Sequence, residues 1–160
     1  MDGFSGMEVI VARIRREQAD AWVRMRGRLG PEWFVSRIDE FVREYFDAGR
    51  IDGLRHVVLL ATRADGTPIG IAEVSLRDFA EGCGAGPVGY LEGWFVEEGA
   101  RGAGVGRALV AAAERWATEQ GCTEFASDAE LHNPAGLRAH LALGFEPVCD
   151  IRCFRKPIRS

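Results

Sequence analysis

The segment Arg101-Gly102-Ala103-Gly104-Val105-Gly106 constrains the fold most, because three alternating glycines stand directly before the clearest amphipathic helix. Apolar residues spaced by three and four predict that helix over Val105 to Gln120. The run Val88 to Val96 before the turn is typical of a strand. A glycine-rich turn lets the backbone approach a ligand closely, and the unpaired N–H groups at a helix start attract anions. We therefore expect a phosphate or pyrophosphate site between a strand and a helix.

The spacing of the glycines excludes two common phosphate motifs. A Walker loop requires a lysine that is missing here, and the third glycine comes one residue too early for the dinucleotide fingerprint. The pattern that fits is Arg-x-x-Gly-x-Gly, which resembles the pyrophosphate loop of the GNAT acyl-CoA N-acyltransferases. A glycine-rich turn without a ligand is the alternative for this segment taken alone.

Other patterns along the chain predict helices and strands in mixed order. A central mixed, mostly antiparallel sheet with helices on both faces, of the α/β (α+β) class, fits that order within a single domain spanning residues 1–160. The predicted elements are a strand at Val9–Ile14, a helix capped by Asp20 and running to Leu29, a helix over Glu32–Ala48, a hairpin of His56–Thr62 and Ile69–Leu76, a loop over Arg77–Pro87, a short strand at Cys122–Asp128, a helix between Asn133-Pro134 and Gly144, and a final strand at Glu146–Pro157.

Composition narrows the class of protein. The chain has 160 residues, of which 47% are apolar, enough for one globular domain. No apolar run is long enough for a membrane span and no secretory signal is present, so with four cysteines we expect free thiols and a cytoplasmic protein. A net charge of −4 argues against a nucleic-acid binder and leaves room for cationic partners. The spacing of cysteines and histidines suits no common zinc site, so no metal is predicted.

A second segment strengthens the resemblance to GNAT enzymes. Asn133 through Leu137, followed by Leu143-Gly144-Phe145, is similar to the Asn-helix-Gly-Phe segment that ends the GNAT core. The resemblance covers roughly Ile69 to Lys156 and implies acetyl-CoA as co-substrate. Many members carry a tyrosine four residues before that glycine as proton donor to the departing thiolate. His140 stands there, either as an equivalent donor or as a half-buried helix histidine.

Acetyl transfer from a thioester to an amine sets requirements that named residues can meet. A backbone N–H near Phe95 or Val96 is the expected donor to the thioester oxygen. The attacking amine must lose a proton, which calls for a carboxylate or a carboxylate-bound water. Alternation predicts that Tyr90, Glu92 and Trp94 share one strand face. Glu92, Asp128 and, more weakly, Glu73 are candidate acids; a sheet-edge salt bridge is the alternative for Glu92 and a loop or helix-cap aspartate for Asp128.

Two runs resemble one branch of the superfamily. Tyr90–Val96 (YLEGWFV) and Cys122–Ala129 (CTEFASDA) are similar to segments of bacterial aminoglycoside 6'-N-acetyltransferases. This implies acetylation of the 6'-amino group of cationic aminoglycosides, with Asp128 and Glu92 as catalytic residues. The implied drug-site residues are Trp22, Glu73, Glu92, Asp128 and Asp150, the last beside a departure at Cys149, where the family places a glutamate. The implied cofactor-binding residues are Trp94, Phe95, Val96, Arg101, Gly102, Ala103, Gly104, Val105, Gly106, Arg107 and Asn133.

Charge is consistent with a cationic substrate, and the resemblance implies a homodimer. Several acids stand where the opening of the substrate site is expected, although the acidic face of the Glu32–Ala48 helix, taken alone, is better explained as a solvated surface. Two other functions stay open. The chain could acetylate another polyamine or a protein amine, or it could be a non-catalytic acyl-CoA sensor.

Overall fold

The computed structural model describes residues 8–158, which form six strands and five helices. The strands are β1 (Val9–Arg13), β2 (Arg50–Ile51), β3 (Leu54–Arg63), β4 (Pro68–Arg77), β5 (Val88–Val96) and β6 (Glu124–Ser127). The helices are α1 (Ala19–Leu29), α2 (Glu32–Val35), α3 (Ile38–Ala48), α4 (Val105–Glu119) and α5 (Pro134–Ala142). No helix within this range is long and apolar enough to span a bilayer.

The strands form one mixed sheet in the order β1-β3-β4-β5-β6, with β2 paired to β3. All pairs are antiparallel except β5 and β6, which run parallel. The predicted hairpin joins β3 and β4, and Gly66 takes the positive φ of 85° that its turn requires. The predicted mixed, mostly antiparallel sheet is therefore confirmed.

Helices cover both faces of this sheet because side chains on β3 alternate between two cores. Val57, Leu59 and Ala61 lie in the core that contains α4 residues such as Leu109. Val58 and Leu60 lie in the opposite core, built with Trp22 of α1 and Phe41 of α3. Each fully buried Leu or Val side chain contributes about 1.5–3 kcal/mol, so these two layers hold the sheet rigid beneath its loops.

The predicted helix over Glu32–Ala48 is wrong as a single element. It breaks at Ser36 and Arg37 into α2 and α3, and the Ser36 hydroxyl donates to the Trp33 carbonyl at 2.9 Å. The break brings the Phe34 ring to 4.6 Å from the Phe41 ring and places the Arg26 guanidinium 3.9 Å from the Phe34 centroid. Packing against Arg26 thus overrides helix periodicity. A smaller difference is that Gln18, not Asp20, precedes α1 as its N-cap.

The predicted final strand at Glu146–Pro157 is also wrong for the single chain. That segment has no regular structure, and its apolar side chains are exposed, Phe154 by 89% and Val148 by 61%. A strand requires a neighbour for its backbone hydrogen bonds, and alternation in the sequence does not reveal whether one is available. The strand predicted over Cys122–Asp128 is shortened to β6.

Candidate active site

A β-bulge in β5 changes which side chains face each side of the sheet. Glu73 of β4 pairs with Gly93 and Val74 pairs with Leu91, so Glu92 is an extra residue without a partner on β4. Beyond the bulge, Trp94 packs in the α4 core and Phe95 in the α1 and α3 core. The prediction that Tyr90, Glu92 and Trp94 share a face is therefore wrong for Trp94, because the extra residue reverses the alternation, whereas Tyr90 and Glu92 both contact Arg77.

Strands β5 and β6 separate at this bulge. Their pairing covers only Val88–Leu91 against Glu124–Ser127. The backbone of residues 92–96 consequently has no strand partner on the side facing away from β4, within the described chain. A gap opens in the sheet there, with main-chain groups along one wall.

The glycine turn lies at the far end of this wall. Gly102 and Gly104 have φ values of 77° and 81°, a conformation that other residues adopt only with strain. Gly104 is the N-cap of α4, no side chain caps that helix, and no acidic residue occupies its first turn. The first N–H groups of a 15-residue helix are thus available to an anion. Arg101 ties the turn to β5, its Nε donating to the Val96 carbonyl at 3.0 Å.

Trp94 closes the space between the glycine turn and the gap. A Cβ built on Gly106 would stand 2.6 Å from Cζ2 of the Trp94 indole, so only glycine permits this packing. The Trp94 Nε1 atom is buried and has no hydrogen-bond partner within residues 8–158. A buried N–H without a partner is uncommon, and this one would suit a ligand that places a hydrogen-bond acceptor beside it.

His140 of α5 faces the point where β6 leaves β5. Its Nδ1 lies 2.7 Å from the Gly136 carbonyl, which can only accept, so Nδ1 carries the hydrogen. Its Nε2 lies 2.8 Å from the Ser127 hydroxyl and accepts from it in the neutral ring. Its ring packs edge-on against Trp94, with centroids 5.8 Å apart. Both nitrogens are therefore engaged, and Ser127 is the only polar partner of Nε2 in the described chain.

Glu92 is held by two residues of β4. The Ser75 hydroxyl donates to its Oε1 at 2.5 Å. Arg77 donates through Nε to Oε1 at 2.9 Å and through a terminal nitrogen to Oε2 at 2.7 Å. The side chain of Glu92 is 21% exposed, so this carboxylate is partly accessible from solvent.

Asp128 follows β6 and joins the same cluster through Tyr90. The Tyr90 hydroxyl donates to Oδ2 of Asp128 at 2.6 Å, and the Arg77 guanidinium stacks 3.5 Å from the Tyr90 ring centroid. Burial, and then the hydrogen bond to Asp128, raise the pKa of the Tyr90 phenol, which therefore stays protonated as a donor at neutral pH. Asp128 itself is exposed, and its Oδ1 accepts no hydrogen bond within residues 8–158.

Trp22 and Glu73 lie beneath this cluster, in the interior. Trp22 is 0% and Glu73 1% exposed, and the Trp22 indole N–H donates to a Glu73 oxygen. Arg26 is the buried counter-ion, its Nε 3.3 Å from the other Glu73 oxygen. Burial raises the pKa of Glu73 and the charge of Arg26 opposes that shift. Neither predicted drug ligand offers an exposed atom in this structure, so their contact with substrate stays a prediction.

The remaining predicted residues are divided between the gap and the surface. Phe95 is buried, which leaves only its backbone to a ligand. Arg107 donates to the Ala142 carbonyl at 3.4 Å and joins α4 to α5. Asn133 caps α5 by accepting from the Gly136 N–H at 2.9 Å. Asp150 lies in the exposed segment after α5, apart from the cluster in the contacts that the described residues make.

The acidic face of α3 is mostly occupied by local partners. Asp47 pairs with Arg16, Glu40 pairs with Arg37, and Glu44 accepts from the backbone N–H groups of Asp52 and Gly53. Carboxylates with such local partners are ordinary surface ion pairs and hydrogen bonds, and they do not indicate a substrate site. The acids that converge on one place are Glu92 and Asp128.

Sequence reasoning did not single out Arg77, Ser75, Ser127 or Arg26. Ser75 and Arg77 alternate with apolar residues on β4, which was a signal that they share the face of Glu73. Gly93 inside an apolar strand was a signal for the bulge, since a Cβ there would stand 2.7 Å from both Arg26 and Glu73. No local signal places Ser127 against His140, because that contact depends on how α5 packs.

Comparison with known proteins agrees with this geometry. The chain is 44% identical over 149 residues to an aminoglycoside N(6')-acetyltransferase type 1 of Klebsiella aerogenes, covering 93% of this chain and 97% of that one. It is 40% identical over 141 residues to the protein of the same name from Stenotrophomonas maltophilia, covering 88% of each.

Solved structures show the same fold. The structure of AAC(6')-Iy in complex with the bisubstrate analog CoA-S-monomethyl-acetylneamine superposes with a TM-score of 0.84 at 32% identity, over 94% of this chain and 99% of that one. AAC(6')-Iy in complex with CoA gives a TM-score of 0.80 at 30% identity, over 98% and 99%. The model of the acetyltransferase (GNAT) family matches residues 22–145. The chain therefore belongs to the GNAT acetyltransferase family.

Proposed function

We propose that this protein transfers the acetyl group of acetyl-CoA to the 6'-amino group of aminoglycosides. The observation that carries the proposal is the gap between β5 and β6, which has a free helix N-terminus at one end and two carboxylates, Glu92 and Asp128, at the other. The named relatives that cover most of the chain support the substrate class.

The residues around the gap fit the co-substrate. The N–H groups at the start of α4 suit its diphosphate, and side chains at Gly102 and Gly104 would project into open space needed for its approach. The unpartnered backbone of residues 92–96 and the orphaned Trp94 Nε1 suit its amide-containing arm. When bound, acetyl-CoA supplies the acetyl group as a thioester. We assign a backbone N–H near Phe95 or Val96 as the donor to the thioester oxygen.

Asp128 is our proposed proton acceptor. A primary amine is mostly protonated at neutral pH and must lose a proton before it attacks. Asp128 is exposed, has one oxygen free, and is oriented at the other by the Tyr90 hydroxyl. Glu92 already accepts three hydrogen bonds from Ser75 and Arg77, which leaves little capacity for taking a proton, so we assign it to substrate binding.

The departing thiolate calls for a proton donor, and we propose one on the opposite side of the gap. We assign the Ser127–His140 pair to this role, because it stands at the fork of the two strands and beside Trp94. Since both ring nitrogens are engaged, the Ser127 hydroxyl gives its proton to the thiolate sulfur and Nε2 of His140 replaces that proton, which requires the ring to enter the step with a hydrogen on each nitrogen. The alternative is that His140 has only a structural role, in which its bonds to Gly136 and Ser127 hold α5 against β6.

A screen of amine acceptors with acetyl-CoA, detecting released thiol, tests the proposal. We expect kanamycin to be acetylated and aminoglycosides with a 6'-hydroxyl to be poor acceptors. Faster turnover of spermidine or of peptide N-termini would favour a polyamine or protein acetyltransferase. Tight acetyl-CoA binding without turnover of any amine would favour a sensor.

We also propose a homodimer in the cytoplasm. The segment Glu146–Pro157 exposes apolar side chains and has the alternation of a strand, while β6 pairs only with β5 in the described chain. A second copy would cover such surfaces. Light scattering should give twice the 17.6 kDa of one chain, and Phe154→Asp should shift the mass toward the monomer. The four free cysteines support a reducing compartment.

A further inference from the structure

Arg77 is bound to Glu92, the carboxylate with which the substrate is expected to pair. Its guanidinium makes two parallel hydrogen bonds to Glu92, a geometry that gives Arg–carboxylate pairs both strength and direction. Ser75 adds a third donor. A carboxylate has about four acceptor positions, so Glu92 has little capacity left for an incoming ammonium group.

The same guanidinium is connected through Tyr90 to the second carboxylate of the site, Asp128. It stacks on the Tyr90 ring, and the Tyr90 hydroxyl bonds to Asp128. Glu92, Arg77 and Asp128 together therefore carry one net negative charge, where a polycation would be bound best by two. An ammonium group that approached Glu92 without moving Arg77 would meet a like charge at short range.

The surroundings of Arg77 permit it to move. It is the last residue of β4, next to the loop of residues 78–87, and its side chain is 34% exposed. The buried Arg26, by contrast, is 6% exposed and is locked against Glu73 and Phe34. Of these two arginines on one face of the sheet, only Arg77 has open solvent to turn into.

We propose that Arg77 is a resident cation, bound to Glu92 in the free enzyme and displaced by an ammonium group of the substrate. The inference rests on the proposed function, and it makes Arg77 a specificity-determining residue. A monoamine that pairs with Asp128 gains nothing at Glu92. A polyamine that reaches both carboxylates replaces the lost Arg77–Glu92 pair with one of its own. The site thereby selects substrates with at least two suitably spaced ammonium groups.

The alternative role for Arg77 is a clamp that holds Glu92 in its binding orientation. The two roles predict opposite effects of removing the charge. Loss of a clamp weakens substrate binding, whereas loss of a competing cation strengthens it. The sign of the change in KM therefore decides between them.

The test compares Arg77→Gln, which removes the charge but keeps a hydrogen-bond donor, with Arg77→Lys, which keeps the charge. We expect the KM for kanamycin to fall by about three- to tenfold in Arg77→Gln, the range set by a partly exposed ion pair. Arg77→Lys should stay within about twofold of wild type, because a lysine remains a competing cation. Arg37→Gln is the matched control, since Arg37 makes similar paired hydrogen bonds to Glu40 and Asp52 and carries the same charge.

Competition by pentylamine and cadaverine, a monocation and a dication of the same chain length, measures selectivity directly. Wild type should prefer cadaverine, and Arg77→Gln should reduce that preference. A higher KM in a folded Arg77→Gln protein, or an equal fall in Arg77→Lys and Arg37→Gln, would overturn the resident cation. If wild type acetylates no aminoglycoside, the proposed function fails instead, and calorimetric binding of the two amines to wild type and Arg77→Gln still tests Arg77.

Discussion

At the scale of single residues, the two carboxylates of the site differ in what they are free to do. Asp128 is exposed with one oxygen open, while Glu92 is bonded by three donors. A group that takes a proton needs a free lone pair aimed at the reacting amine. A carboxylate that already accepts three hydrogen bonds is poorly placed for that, but it can pair with an ammonium group of the substrate once Arg77 has moved. Different kinetic signatures should follow from exchanging each acid for its amide.

We expect Asp128→Asn to lower kcat at pH 7 by at least about a hundredfold, because the amide keeps the shape and the bond from Tyr90 but cannot accept a proton. Acetyl-CoA affinity, measured by calorimetry, should stay near wild type. Part of the rate should return at high pH, where free amine is abundant.

Glu92→Gln is the matched control for that experiment. Its main effect should be a higher KM for the aminoglycoside, as expected for lost uniform binding. Near-normal kcat in Asp128→Asn, together with a large loss of kcat in Glu92→Gln, would show that the two roles are exchanged.

The Ser127–His140 pair makes a separate prediction. If the proton reaches the thiolate through the Ser127 hydroxyl, Ser127→Ala and His140→Gln should each lower kcat by about ten- to a hundredfold, and the double variant should lose little more. A double variant about as slow as the slower single variant would indicate one shared proton path. Additive losses would assign His140 to structure alone.

At the scale of elements, the glycine turn and α4 form the anion site, and Gly104 is the position to test. Gly104→Asp places a carboxylate at a helix N-terminus that otherwise has none, so it competes with the diphosphate for the same N–H groups. We expect acetyl-CoA affinity to fall more than about tenfold beyond any loss in Gly104→Asn, which suffers the same strain at φ 81° without the charge. Equal affinity in the two variants would remove the turn from the diphosphate site. Gly106 is unsuitable, since any side chain there meets Trp94.

Elements with strong local signals could be predicted from the sequence, and those that depend on distant contacts could not. The periodicity of α4 and the hairpin around Asp65-Gly66 lie within short windows, and both were correct. The break between α2 and α3 depends on Arg26, which is distant in the chain, and the bulge at Glu92 depends on how β4 is registered. Glu92 and Asp128 were named from resemblance and strand position. Arg77 was missed because nothing local indicates that an arginine will turn back onto Glu92.

At the scale of the whole molecule, two hydrophobic cores, one on each face of the sheet, support the site. The α4 core and the α1 and α3 core hold the sheet from both sides up to the gap. Beyond the gap, no residue of α5 is buried, and of the described residues after it only Leu143 and Phe145 pack against the α4 core. The Glu92–Arg77 pair on β4 and β5 is thus anchored to a rigid layer, whereas the wall that carries His140 is held by fewer contacts.

The absence of any buried residue in α5 has a consequence for hydrogen exchange. Backbone amides are protected in proportion to the free energy needed to open them, and α5 is tied down chiefly by the Arg107–Ala142 and Ser127–His140 hydrogen bonds. We expect its amides to exchange faster than those of α4 in the free protein, as measured by mass spectrometry. Addition of CoA should slow exchange in α5 more than in α4, because the ligand fills the gap beside α5 and adds contacts to that helix. Equal protection of the two helices before ligand is added would mean that α5 already belongs to the main cooperative unit.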